Sequence, residues 1–109
     1  MSLPIDGIIN VNKPPGITSM DVIRRIRRAS GLRRVGHSGT LDPLASGVMV
    51  VALGVAARLL EYITELDKSY AAKIELGKST DTYDGEGEIV NSESAVIVSD
   101  SDVRSAIQT

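Results

Sequence analysis

The side chains best suited to chemistry cluster in one short stretch, Gly36-His37-Ser38-Gly39-Thr40-Leu41-Asp42-Pro43, where an imidazole, a hydroxyl and a carboxylate fall within six residues. A hydrolase triad is a poor match, because triad members normally arrive from separate elements. Gly36-His37-Ser38-Gly39 also fits the GXXG of a KH module, but four letters with two free positions occur often by chance. Asp42 is the more informative residue. It precedes Pro43, which biases its backbone to an extended conformation and prevents it from simply continuing a helix. It lies in a glycine-rich loop just ahead of the most hydrophobic run of the chain, where a rigid scaffold presents functional side chains. Asp-Pro is equally a common turn pair. Residue type alone therefore leaves both a functional carboxylate and a turn residue open.

A second candidate is the acidic run Asp81, Asp84, Glu86 and Glu88. It fails the EF-hand pattern, which needs ligands at positions 1, 3 and 5 with glycine at 6, so a solvated turn is the expectation. Neither a P-loop nor a GxGxxG fingerprint is present. The chain has no cysteine and one histidine, which removes a disulfide framework, thiolate chemistry and a Cys/His zinc site. No metal site is expected.

Charge is unevenly placed. Residues 1–58 carry eight Lys/Arg against three acids, a balance of +5, while residues 59–109 carry four against eleven, a balance of −7. The overall −2 conceals a basic half, which suits a polyanionic partner such as nucleic acid. An arginine-rich surface helix would give the same count without any partner.

The elements that must position these residues follow from local pattern. The 109 residues make one domain at most, with a thin core. Gly7 to Asn12 reads as a β-branched strand, and Pro15-Gly16 suits a type II turn. Thr18 with Asp21 resembles a capping box opening a helix whose apolar stripe is Val22, Ile23 and Ile26, closed at Ser30-Gly31. Arg24, Arg25, Arg27 and Arg28 flank that stripe and should face water or a ligand. Residues 31–47 read as an extended loop. Val48 to Leu53 suits a central strand buried on both faces, and Ala56 to Glu65 a short helix. Ser69 to Leu76 alternates, with Tyr70, Ala72, Ile74 and Leu76 on one face. Further short strands are expected near Glu88–Val90 and Val96–Val98, and a helix from Ser99. The longest apolar run, Val48 to Ala57, is about half of the roughly 20 residues a membrane span needs. Met1-Ser2-Leu3 carries no signal-peptide pattern, so a cytoplasmic protein is expected.

Three strings together carry a resemblance. GHSGTLDPLASGVMVVALG at 36–54 resembles the catalytic motif of the TruB family of pseudouridine synthases. Asn12-Lys13-Pro14-Pro15-Gly16-Ile17-Thr18-Ser19 is similar to that family's first motif, a turn entering a helix. KSYAAKIELGKSTDTYDGEGEIV at 68–90 resembles the motif carrying its active-site tyrosine. The order is the family's, and residues 7–90 are covered. RNA-guided archaeal and eukaryotic relatives share the middle motif, while the last resembles the bacterial stand-alone tRNA enzymes more closely.

The resemblance implies an α+β fold, the pseudouridine synthase fold, with a mixed and largely antiparallel sheet flanked by helices. It implies isomerisation of uridine 55 in the tRNA T-loop to pseudouridine, without metal or cofactor. Asp42 would be the catalytic aspartate, acting as a nucleophile at C1′ or as the base of a glycal route. His37 would insert into the T-loop, and Tyr70 would stack on the flipped uracil while lining the pocket wall; a core tyrosine is the alternative. Lys13 and Pro14 would support that tyrosine, and Arg33 and Arg34, with the arginine-rich helix, would meet phosphates of the T-loop and T-stem. A monomer is implied for the full-length enzyme. Members of the family are several times longer than the motif-bearing segment. They include a later basic residue that pairs with the aspartate, and usually a C-terminal RNA-binding domain. The expectation for residues 1–109 is the N-terminal portion of a catalytic domain, inactive alone. A non-catalytic RNA-binding or chaperone module using the basic half is the alternative.

Overall fold

β1 (Gly7–Lys13) forms over the β-branched run that predicts it. The Lys13-Pro14-Pro15-Gly16 turn ends it, since neither proline has an N–H for a ladder and Gly16 adopts a left-handed φ of 92° that a glycine tolerates. The chain enters α1 (Ser19–Ser30) through the expected capping box. Thr18 Oγ1 accepts the Asp21 N–H and the Asp21 carboxylate accepts the Thr18 N–H, both at 3.0 Å. Gly31 closes α1 at φ 74°, its N–H donating to the Arg27 carbonyl.

The computed structural model describes residues 5–94 and 96–109; Met1-Ser2-Leu3 lies outside them. Two compact units divide the chain, Met1–Ser69 and Tyr70–Thr109. In the first, β2 (Val35–Ser38) and β3 (Gly47–Leu53) join β1 in an antiparallel sheet of order β1-β3-β2. The register runs from Gly7↔Leu53 to Lys13↔Gly47 on one side of β3, and from Val35↔Leu53 to Ser38↔Val50 on the other. Met49, Val51, Leu53 and Val35 form one core with Val22 and Ile23 of α1, and Val11, Ile17, Ile26, Leu32 and Leu41 pack around it.

Several expectations change here. The stretch 31–47 is not wholly loop, because β2 lies within it. Glycine disguised that strand: Gly36 reads as a loop residue, but it marks a close approach, since a Cβ there would lie 2.8 Å from Leu60 Cδ1. β3 is central as expected, but only one face is fully covered. Val48, on the opposite face, is 69% exposed. The helix expected over 56–65 is split into a 3-10 turn, Gly54–Leu59, and α2 (Leu60–Thr64). A 3-10 turn commonly leads into an α-helix, and here the Asp6 carboxylate takes the Val55 N–H at 2.8 Å.

The second unit is a hairpin and a helix. β4 (Lys78–Thr80) pairs antiparallel with β5 (Ile89–Ser92), and α3 (Asp100–Gln108) starts from a Ser99 capping box. The turn between the strands is braced by its own acids. Asp81 accepts the Glu88 N–H at 2.9 Å, and Asp84 accepts from the Glu86 N–H and the Thr82 hydroxyl at 2.8 and 2.6 Å. Those bonds hold the Asp84 carboxyl below its ordinary range, the Thr82 hydroxyl contributing most. The strand expected over 69–76 is absent, as is the one near 96–98. Alternation needs a neighbouring strand to become a ladder, and among the described residues none pairs with either segment. No helix among the described residues is long and apolar enough to cross a membrane.

Candidate active site

The connection 39–46 between β2 and β3 carries Asp42 at the end of the sheet where β1 also finishes. Lys13, the last residue of β1, has no exposed surface. Its ammonium donates to three carbonyls: Ile17 at 2.7 Å, Pro14 at 2.9 Å and Pro43 at 3.2 Å. That uses every donor a lysine has. Gly16 adds a backbone bond from its N–H to the same Pro43 carbonyl at 2.7 Å. On the other side of Asp42, the side chain of Leu41 packs against the core and its backbone meets the Ser19 hydroxyl at 2.9 Å. The Asp42 carbonyl accepts the Ala45 N–H at 2.9 Å, which closes a tight turn.

The result is a loop whose backbone is fixed while its functional group is free. Asp42 is exposed, and its carboxylate has no hydrogen-bond partner among the described residues. An exposed, unpaired carboxylate on a rigid loop is available to a ligand.

His37 lies on β2 opposite Val51 and is half-buried. Its Nδ1 is 2.9 Å from the Gly39 carbonyl. A carbonyl only accepts, so Nδ1 carries the proton and Nε2 is the nitrogen left for another partner. Lys68 also lies close to this loop, its Nζ 3.6 Å from the position a Cβ on Gly39 would take.

The arginines divide into two kinds. Arg24 pairs with Asp21 at 3.0 Å. Hydrogen bonds from Thr18, and then the Arg24 charge, hold the Asp21 carboxyl below its ordinary value. Arg27 is exposed as expected but also turns back on the chain, donating to the carbonyls of Arg33 and Val35 at 3.1 and 3.3 Å. Arg25, Arg28, Arg33 and Arg34 are exposed and have no ion pair among the described residues. Arg58 is likewise exposed and without an ion pair among the described residues.

The structure therefore brings Lys13, Pro14 and Asp42 together, with His37 at the base of the same loop. Lys13 is a buried support and not a surface cation. Tyr70 opens the second unit on an irregular stretch and is 74% exposed, so it is not the core tyrosine that strand alternation allowed. Sequence reasoning missed Ser19, Gly16 and Arg27 as builders of this site. Their signal is weak, because each acts on backbone groups 6 to 27 positions away and leaves no local pattern.

A model of the TruB family pseudouridylate synthase N-terminal domain matches residues 27–109. The chain is 58% identical over 85 residues to tRNA pseudouridine synthase B of Dehalococcoides mccartyi, covering 78% of this chain and 28% of that protein. It is 50% identical over 103 residues to tRNA pseudouridine synthase B of Arthrobacter sp., covering 94% of this chain and 34% of that protein. These relatives are thus about three times its length. Among solved structures, one of an H/ACA RNP bound to a substrate RNA containing 2′-deoxyuridine is 48% identical, with a TM-score of 0.50, covering 51% of this chain and 18% of that one. With the fixed Asp42 loop, these matches show that the chain belongs to the TruB family of pseudouridylate synthases.

Proposed function

We propose that this chain supplies the catalytic aspartate loop for conversion of uridine to pseudouridine in tRNA, at uridine 55 of the T-loop. The observation that carries the proposal is Asp42: exposed and unpaired, on a backbone anchored on both sides, in a chain of this family. The reaction is an isomerisation. The N1–C1′ bond breaks, the uracil turns, C5–C1′ forms, the proton on C5 is released and N1 takes one up. A carboxylate beside C1′ serves this either as the nucleophile that holds the sugar or as the base that opens a glycal.

A stacked base must leave the loop before any group reaches C1′. The His37 ring, with Nε2 free, suits the space the base vacates, and Tyr70 has an exposed ring face for stacking on the uracil. Arg25, Arg28, Arg33 and Arg34 provide phosphate contacts that strengthen binding at low salt. Lys13 acts indirectly, holding the loop through the Pro43 carbonyl, with the Pro14 carbonyl as another acceptor of its ammonium. No cofactor enters this scheme, the reaction runs as a monomer in the cytoplasm, and the relatives' names support tRNA as the substrate.

The same arginines would serve a non-catalytic RNA-binding module. Release of tritium from 5-tritiated uridine in tRNA separates the two readings in the full-length protein. Asp42→Asn should abolish release while tRNA binding persists. Equal release by wild type and Asp42→Asn would overturn the catalytic assignment.

A further inference from the structure

Ser19 has a side chain that helix formation does not require. Thr18 caps α1, so the hydroxyl one residue later is free for another purpose. It is almost fully buried, at 3% exposure, and makes both its hydrogen bonds to one residue 22 positions away. It donates to the Leu41 carbonyl and accepts from the Leu41 N–H, each at 2.9 Å. A hydroxyl can do both at once because it carries one donor and two acceptor sites.

The consequence lies in covalent geometry. The Leu41 carbonyl belongs to the planar peptide unit whose nitrogen is that of Asp42. Fixing that carbonyl fixes the plane from which the Asp42 Cα departs. On the far side, the Pro43 carbonyl is gripped by Lys13 and Gly16. The carboxylate itself has no partner among the described residues, so these backbone anchors are what fix the Cα–Cβ direction from which it extends. The Leu41 side chain packs against the core, and among the described residues the polar anchor of its backbone is the Ser19 hydroxyl.

We propose that Ser19 is a positioning residue for Asp42, setting the orientation of the 41–42 peptide and through it the direction of the carboxylate. The proposal rests on the reading of Asp42 as the catalytic group. It separates two effects that a stability role would merge. Loss of the hydroxyl should misdirect the carboxylate, and so slow chemistry, while leaving the arginine surface that binds RNA untouched.

The experiment compares wild type, Ser19→Ala, Ser19→Thr and Asp42→Asn in the full-length protein by tritium release, with tRNA affinity, thermal midpoint and hydrogen exchange measured in parallel. A displacement of order 1 Å at a reacting group costs about 100-fold in rate. Ser19→Ala should therefore lower kcat about 30- to 100-fold with KM within about twofold. The Leu41 amide should exchange at least about tenfold faster. Ser19→Thr, which keeps the hydroxyl, should recover most of kcat. If Ser19→Ala does not fold, Ser19→Cys takes its place, because its thiol fills the site but bonds weakly. Wild-type kcat in Ser19→Ala beside a dead Asp42→Asn would overturn the Ser19 proposal alone. A raised KM with unchanged kcat would do the same. Full turnover by Asp42→Asn would bring down both readings.

Discussion

Lys13→Met distinguishes a buried ammonium that builds the Asp42 loop from a cation that meets RNA. Methionine keeps the length of the stem and removes all three donors. Of the three carbonyls that lose the ammonium, Pro43 keeps the Gly16 N–H at 2.7 Å and exposed Pro14 can hydrate. The cost falls mainly on the Ile17 carbonyl, whose bond at 2.7 Å is the shortest of the set and whose residue packs against the core. A hydrogen bond from a charged donor contributes about 1.5–3 kcal/mol, and a buried acceptor left alone costs about 1–3. Removing a buried charge returns part of its desolvation cost. The net loss should be about 2–3 kcal/mol, a fall of roughly 10–20 °C in the thermal midpoint for a unit of this size. RNA binding gives the opposing readout. A phosphate contact contributes about 0.7–0.9 to the slope of log K against log salt; Lys13 makes none, so among folded molecules the slope should not change. A slope reduced by that amount, with an unchanged midpoint, would refute the buried role.

The arginines should separate in the same pair of assays. Arg33→Ala and Arg34→Ala should each reduce the salt slope by about 0.7–0.9 and leave stability within about 0.5 kcal/mol, whereas Arg27→Ala, losing its bonds to the Arg33 carbonyl and to Val35 at the start of β2, should destabilise by about 1–2 kcal/mol. The depressed carboxyl of Asp21 gives a pH dependence of defined sign. Its contribution to α1 is complete above the ordinary carboxyl value of 3.8 and is lost as pH falls through the lower folded value. Helix circular dichroism should show that acid limb, and Asp21→Asn should flatten it. Hydrogen exchange should protect the first unit more than the second: Met49, Val51 and Ala52 are at most 1% exposed, and no described residue from 70 to 109 is buried. Equal protection across both units would contradict that ordering.

What could be read from residues alone followed the range of the interaction. The α1 cap, the Gly31 stop, the Gly16 turn and the central strand all depend on neighbours within a few positions, and all are where the pattern places them. β2 was hidden because Gly36 reads as loop, although it marks a close approach by Leu60. The alternation over 69–76 reads as a strand, but a strand needs a partner, and none among the described residues pairs with it. Asp42 was visible through its motif. Its supports were not, because Ser19 and Lys13 act on carbonyls 22 and 30 positions away, and side-chain-to-backbone bonds at that range leave no periodicity.

The sheet explains how distant motifs come to share one loop. β3 runs antiparallel to both neighbours, so the end of β1 at Lys13 and the end of β2 at Ser38 arrive beside the start of β3, at Gly47 and Val50. The turn that leaves β1 and the loop that leaves β2 therefore emerge on one edge. α1 starts from that turn, which brings Ser19 to the loop and sends the helix back across the core face of the sheet. Its polar side then carries Arg25 and Arg28 away from the core. Thus α1 serves twice, gripping Asp42's neighbour at its first residue and presenting exposed positive charge farther along. The register makes these duties compatible: Lys13↔Gly47 is the last pair of β1 with β3, and a shift of one residue would turn the Lys13 side chain to the other face. Pro43 would then lose its ammonium donor, and Asp42 one of its anchors.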